Sequence, residues 1–178
     1  MSLVAVLAVG EDRPGIVAAV TRALADAGAN LDDCSMTVLH GHFTMAMVVG
    51  LPTGVPLAVL DDALKGPADA LGLVVSVWPI AEGTPPAPRG ERWSMSVYGA
   101  DQPGIVATVT AALADAGANV IDLTTRVVGG DQHPVYAMAM EVLIPEGADR
   151  AAVAAAITTV TQALGVECTM HPADVDVL

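Results

Sequence analysis

Between Gly10 and Asp33 the chain reads GEDRPGIVAAVTRALADAGANLDD, and between Gly99 and Asp122 it reads GADQPGIVATVTAALADAGANVID, identical at 18 of 24 positions. A repeat of that density inside 178 residues means that the fold is two copies of one unit. The offset is 89 positions here and 93 further on, where Phe43-Thr-Met-Ala-Met-Val-Val aligns with Tyr136-Ala-Met-Ala-Met-Glu-Val and Leu71-Gly72 with Leu164-Gly165. The difference falls in the polar stretch GGDQHP that begins at Gly129, where a surface turn accepts an insertion. Between the halves lies AEGTPPAPRGER, residues 81–92, whose prolines and glycines suit an extended connector. The expected domains are therefore residues 1–80 and 93–173.

Each half has the same order of periods. Ser2 to Val9 is a short apolar run, as in a central strand, and Trp93 to Tyr98 is its counterpart. Pro14 then suits a first helical turn, and Ile16, Val20, Ala23, Leu24 and Ala27 follow at helical spacing to a left-handed stop at Gly28, repeated at Gly117. Leu31 to Leu39 and Phe43 to Leu51 flank His40-Gly41-His42 and read as a hairpin. A second helix from about Pro56 to Leu71 and a last strand from Leu73 to Val77 complete the unit, matched by Ala151 to Leu164 and Val166 to Met170.

The order βαββαβ has a geometric consequence. Two right-handed β-α-β crossovers in one antiparallel sheet place both helices on one face and leave the other bare. The expected fold is α+β: two ferredoxin-like sandwiches, each with two helices on one face of its sheet. Met45, Met47, Met138 and Met140 recur at a spacing of two and are expected in the cores, leaving Thr44, Ala46 and Val48 for a sheet-to-sheet contact.

Composition narrows the function. Twenty acidic residues against seven basic give a net charge of −13, a field that repels phosphate backbones and anionic lipid, so neither direct nucleic-acid binding nor membrane binding is expected. No apolar run is long enough to span a bilayer and the first residues lack a basic leader, so the chain is read as cytoplasmic. Cys34 and Cys168 belong to no C-x-x-C pair and read as buried, reduced thiols. His40 and His42 flank a turn without a carboxylate or thiol close by in sequence, and His133 and His171 each precede a proline, so no metal site is assigned. No nucleophile elbow, phosphate loop, dinucleotide fingerprint or catalytic carboxylate pair is present, and no cofactor or catalytic residue is assigned.

The candidate site is the first turn of each half, Gly10-x-Asp12-x-Pro14-Gly15-Ile16-Val17 and Gly99-x-Asp101-x-Pro103-Gly104-Ile105-Val106. Two accounts fit it. In one, unpaired helix N–H groups point outward past a glycine that cannot block them, which suits a small carboxylate. In the other, Asp12 caps the helix, Pro14 starts it and Gly15 packs on the sheet. Arg13 opposes the helix dipole unless an anion joins it, whereas the second half has Gln102, so the two turns are not equivalent. Asn30 and Asn119, each after Gly-Ala at the start of the second strand, offer a donor and an acceptor to an amino acid, or alternatively stabilise their own turn.

The turn G-x-D-x-P-G-I-V, followed by A-D-A-G-A-N before the second strand, resembles the ACT domains, small regulatory modules that bind amino acids. Two in tandem without a catalytic domain are similar to stand-alone ACT regulators of the glycine cleavage repressor type. The resemblance implies a free amino acid, such as glycine or serine, held between two ACT domains by the first turn of one and the second-strand region of the other. By position this names Asp12, Arg13, Pro14, Gly15, Ile16, Val17 and Asn30, with Asp101, Gln102, Pro103, Gly104, Ile105, Val106 and Asn119 in the repeat. It further implies a homodimer that acts on a protein partner, a transcription regulator or a metabolic enzyme.

Overall fold

A computed structural model describes residues 1–81, 89–129 and 134–173. The chain forms two compact units, Met1–Pro86 and Ala87–Leu178. In the first, β1 (Ser2–Glu11), α1 (Ile16–Asp26), β2 (Asn30–Leu39), β3 (His42–Leu51), α2 (Leu57–Leu71) and β4 (Val74–Pro79) follow in order. The second repeats them as β5 (Gly90–Ala100), α3 (Ile105–Asp115), β6 (Asn119–Val128), β7 (Val135–Pro145), α4 (Arg150–Leu164) and β8 (Glu167–Pro172).

Both sheets are antiparallel, in the orders β2-β3-β1-β4 and β6-β7-β5-β8, so each β-α-β crossover skips one strand. The expected ferredoxin-like arrangement is thus present twice. Because β1 and β3 lie at the centre, their alternate residues are sealed beneath the helices: Val4, Val6 and Ala8 on β1, Phe43, Met45, Met47 and Val49 on β3. Ile16, Val20 and Leu24 of α1 and Leu60 and Leu64 of α2 close over them. Leu60 and Leu64, 0 and 1% exposed, each contribute about 1.5–3 kcal/mol by leaving water. The second core repeats the pattern with Met95, Val97, Met138, Met140, Ile105, Val109 and Ile157. All four methionines lie where their spacing placed them.

Several boundaries differ from the sequence expectation. Gly90, Glu91 and Arg92, assigned to the connector, belong to β5 and pair with Pro145, Ile144 and Leu143. Residues 82–88 of the connector and 130–133 of the insertion, with His133, lie outside the described residues. The hairpin turn is tighter than a three-residue one. His40 and Gly41 carry φ of 49° and 79°, and Leu39 pairs directly with His42. Positive φ at both central residues gives the hand of turn that matches strand twist.

The helices are not equally well made. α4 begins on Asp149, whose carboxylate accepts from the N–H groups of Ala151 and Ala152. α2 begins on Pro56 without a side-chain cap and contains Pro67.

The outer strand β2 is exposed along its whole length. A bulge at Asp32 lets Leu31, Cys34, Met36 and Val38 sit opposite the buried residues of β3, on the helix side of the sheet, yet the helices do not reach over them. The bulge recurs in β6 between Val120 and Asp122.

Candidate functional site

The first turn leaves the end of β1, where the backbone N–H of Asp12 donates to the Gly41 carbonyl at 2.8 Å and ties the turn to the hairpin tip. Helix α1 starts later than expected. Its N-cap is Gly15, at φ 94° and ψ −6°, and no side chain caps it. Asp12 is therefore not the cap that one account made it, and Pro14 precedes the helix instead of opening it. The first helical bond runs from Ala19 N–H to the Gly15 carbonyl at 2.9 Å, so the N–H groups of Ile16, Val17 and Ala18 have no acceptor within the helix.

The reason for glycine here is conformational. A Cβ at Gly15 would meet nothing within 4 Å, so Gly15 does not pack on the sheet, while its φ is one that side-chain-bearing residues rarely adopt. Gly104, at φ 97°, repeats both properties as the N-cap of α3. The space over each helix start is open.

In the first unit that space is a hollow of about 420 Å³ bounded by Asp12, Arg13, Gly15, Ile16, Val17 and Ala18 on the turn side and by Met36 and Phe43 on the sheet side. Met36 was not among the residues expected from sequence. Its signal was an apolar side chain on the helix side of an edge strand, which shows only once the helices are known to stop short of it.

Arg13 is accounted for within the chain. Its Nη2 donates to Glu11 Oε2 at 2.6 Å, and this bond, with the nearby positive charge, holds the Glu11 carboxyl below the usual range. Glu11 thus supplies the anion that the helix start was expected to leave to a ligand. The second unit has Ala100 and Gln102 at these positions, and Gln102 Nε2 donates to the Leu164 carbonyl at 2.6 Å, at the end of α4. The two turns are unequal, as their sequences indicated, and each occupies its distinguishing side chain internally. A hollow of about 490 Å³ in the second unit is bounded by Tyr98, Gly99, Ala100, Pro134, Val135, Gly165 and Glu167, not by the expected segment Asp101 to Val106.

Asn30 is not brought to the first turn of its own unit. It pairs with Gly50, which faces Leu3 near the start of β1, whereas the turn follows Glu11 at the other end. Eight strand steps separate them, about 27 Å. Asn30 Nδ2 donates instead to Asp32 Oδ1 at 2.6 Å. Asn119 likewise opens β6 opposite Leu143.

Among the described residues, His42 Nδ1 lies 3.2 Å from the His40 carbonyl and His171 Nδ1 3.0 Å from that of Pro172. Among the described residues no three or more His, Cys, Asp or Glu side chains gather to hold a metal, and no helix is long and apolar enough to cross a membrane.

Known proteins share this organisation. Models of the ACT domain match residues 2–77 and again 93–160. A UPF0237 protein of Methanopyrus kandleri is 40% identical over 78 residues, 43% of this chain and 87% of that one. The glycine cleavage system transcriptional repressor of Escherichia coli is 31% identical over 122 residues, 68% of this chain and 63% of the repressor. Among solved structures, a Galdieria sulphuraria protein of unknown function superposes with a TM-score of 0.82 at 27% identity, covering 97% of this chain and 99% of its own.

Proposed function

The chain belongs to the ACT-domain family, and from that premise we propose that it is a non-catalytic regulator which binds a small free amino acid and passes the signal to a protein partner. The observation that carries the reading is the open helix start at Gly15. Three N–H groups without helical acceptors face a hollow into which no side chain intrudes at the glycine. That arrangement suits a carboxylate, and an uncharged side chain such as that of glycine or serine suits the Met36 and Phe43 wall.

Asp12 to Val17 would hold the carboxylate, and Asn30 from a different ACT domain the ammonium, because within one domain the strand length keeps them apart. Asp101 to Val106 and Asn119 are the corresponding set in the second unit. A ligand held this way alters domain arrangement only by binding one arrangement better than another. Similarity to the Escherichia coli repressor favours a transcription regulator of glycine or one-carbon metabolism as the partner, acting in the cytoplasm through protein contacts, since a charge of −13 opposes contact with nucleic acid. A metabolic enzyme is the alternative partner.

A ligand-free interaction module is the second reading, favoured by Glu11, which already supplies Arg13 with an anion. A thermal-shift screen of the free amino acids against ligand-stripped protein separates the two. The regulator reading expects a rise in Tm with at least one small amino acid, kept in Gly15→Ala and lost in Gly15→Asp, whose carboxylate would sit over the same N–H groups. No rise with any amino acid leaves the module reading.

A further inference from the structure

The two units differ most on the sheet faces that the helices leave bare. Residues directly opposite one another across a sheet share a face, so the registers define the rows of each bare face. In the first unit one row runs Trp78, Ala5, Val48, Asp33, and the next runs Ser76, Leu7, Ala46, Ser35. The aligned rows of the second unit run His171, Ser94, Glu141, Asp122 and Thr169, Ser96, Ala139, Thr124. On the flanking rows Leu3 stands where the second unit has Arg92, Val74 where it has Glu167 and Thr37 where it has Arg126.

The buried faces kept their character through the duplication while the central rows of the bare faces diverged, apolar in the first unit and polar or charged in the second, whose bare face carries exposed Tyr98, Val128 and Val135 toward one end. In the second unit those central rows are built for water, with His171, Ser94, Glu141 and Asp122 in one and Thr169, Ser96 and Thr124 in the other. The first does not look like that, and Leu3, Val74 and Trp78 remain 42, 72 and 45% exposed on it. On a chain of net charge −13, its only charged side chain in those two rows is Asp33, on the outer strand β2.

An occupant of this face must be apolar and must not bring charge to its centre. A second copy of the chain meets both conditions, and the relief fits as well. Trp78 is itself one wall of a hollow of about 290 Å³ that Ala5, Leu7, Asp33, Ala46 and Val48 also line. A half-exposed indole that walls a hollow can meet its own copy there under a twofold axis. The size is sufficient. Three ten-residue strands and the six-residue β4, about 4.8 Å apart, cover about 550 Å² a side, or about 1,100 Å² over both copies, just over the 1,000 Å² or so of total area that a specific interface requires.

We propose that the bare sheet face of the first unit is a homodimer interface, stacked on the same face of a second copy with each Trp78 seated in the other's hollow. Two sheets packed this way lie about 10 Å apart with their strands within about 30° of one another.

Light scattering on the full chain, with Trp fluorescence in a Trp93→Phe background, tests this. The wild type should have twice the 18.0 kDa chain mass, with Trp78 emitting as a buried indole and shielded from acrylamide. The double variant Val48→Glu/Trp78→His, which installs the second unit's residues, should halve the mass with unchanged circular dichroism. Ala46→Arg, an exposed position in the hollow, should do the same and serves if the double variant misfolds, while His171→Ala should leave the mass doubled. A monomeric wild type, a dimer indifferent to Val48→Glu/Trp78→His and Ala46→Arg, or a dimer in which Trp78 is freely quenched would each overturn the proposal.

Discussion

Two glycines of the first-turn motif, Gly10 and Gly15, are retained for different physical reasons, and substitution separates them. A Cβ at Gly10 would lie 2.7 Å from Leu73 Cδ2 and 3.0 Å from the Gly72 carbonyl oxygen. Leu73 is 8% exposed and cannot move freely, so Gly10→Ala overpacks the junction at a cost of about 1–3 kcal/mol. At Gly15 a Cβ meets nothing, and Gly15→Ala costs only what the left-handed backbone imposes, about 1–2 kcal/mol. For a unit of this size each kcal/mol lowers Tm by about 4–8 °C. Asparagine is the discriminating probe, because its short polar side chain tolerates a left-handed backbone but is larger than alanine. Gly15→Asn should therefore be milder than Gly15→Ala, and Gly10→Asn harsher than Gly10→Ala. Urea unfolding followed at Trp78 in a Trp93→Phe background reads the first unit alone. The same rank order at both positions, or a neutral Gly15→Ala, would show that handedness does not decide the turn.

The remaining expectations are narrower. Asp149→Ala removes an acceptor shared by two helix N–H groups and should destabilise the second unit by about 1 kcal/mol, read at Trp93 in a Trp78→Phe background. Cys168 is half-buried and burial pushes its thiol up, whereas Cys34, expected to be buried, is exposed because it lies on the outer strand β2, which the helices do not cover. Iodoacetamide should therefore label Cys34 first by peptide mass spectrometry, with labelling of Cys168 catching up as pH rises through its raised range, because the thiolate is the reacting form.

The fold was legible because the repeat fixed the unit and two periods fixed its elements. Met45 and Met47 announced a buried strand face by their spacing, and Gly28 and Gly117, at φ 72° and 78°, closed their helices as expected. The first turn was legible as a place but not as a mechanism. Asp12 has the composition of a cap, yet the left-handed Gly15 sets the helix start three residues later. Arg13 was singled out by its difference from Gln102, but its partner Glu11 lies on the preceding strand, and the Leu164 carbonyl that receives Gln102 is 62 residues away. Such pairings depend on where chain ends meet, which local periodicity does not encode. The bare-face contrast was written in the sequence all along. Seeing it required the register, because only the register says which residue of one strand shares a row with which of the next.

The unequal second helices have a consequence for how the halves come apart. Pro67 offers no N–H to the Ala63 carbonyl four residues before it, and α2 has no side-chain cap at its start, whereas α4 is capped by Asp149 and has no internal proline. A proline inside a helix costs about 3 kcal/mol, a large fraction of what a domain of this size holds in reserve. The two halves therefore do not loosen together. The first is expected to open sooner, beginning at α2 and uncovering Leu60 and Leu64, so that transient exposure to proteases and chaperones would be concentrated in one copy of a duplicated fold.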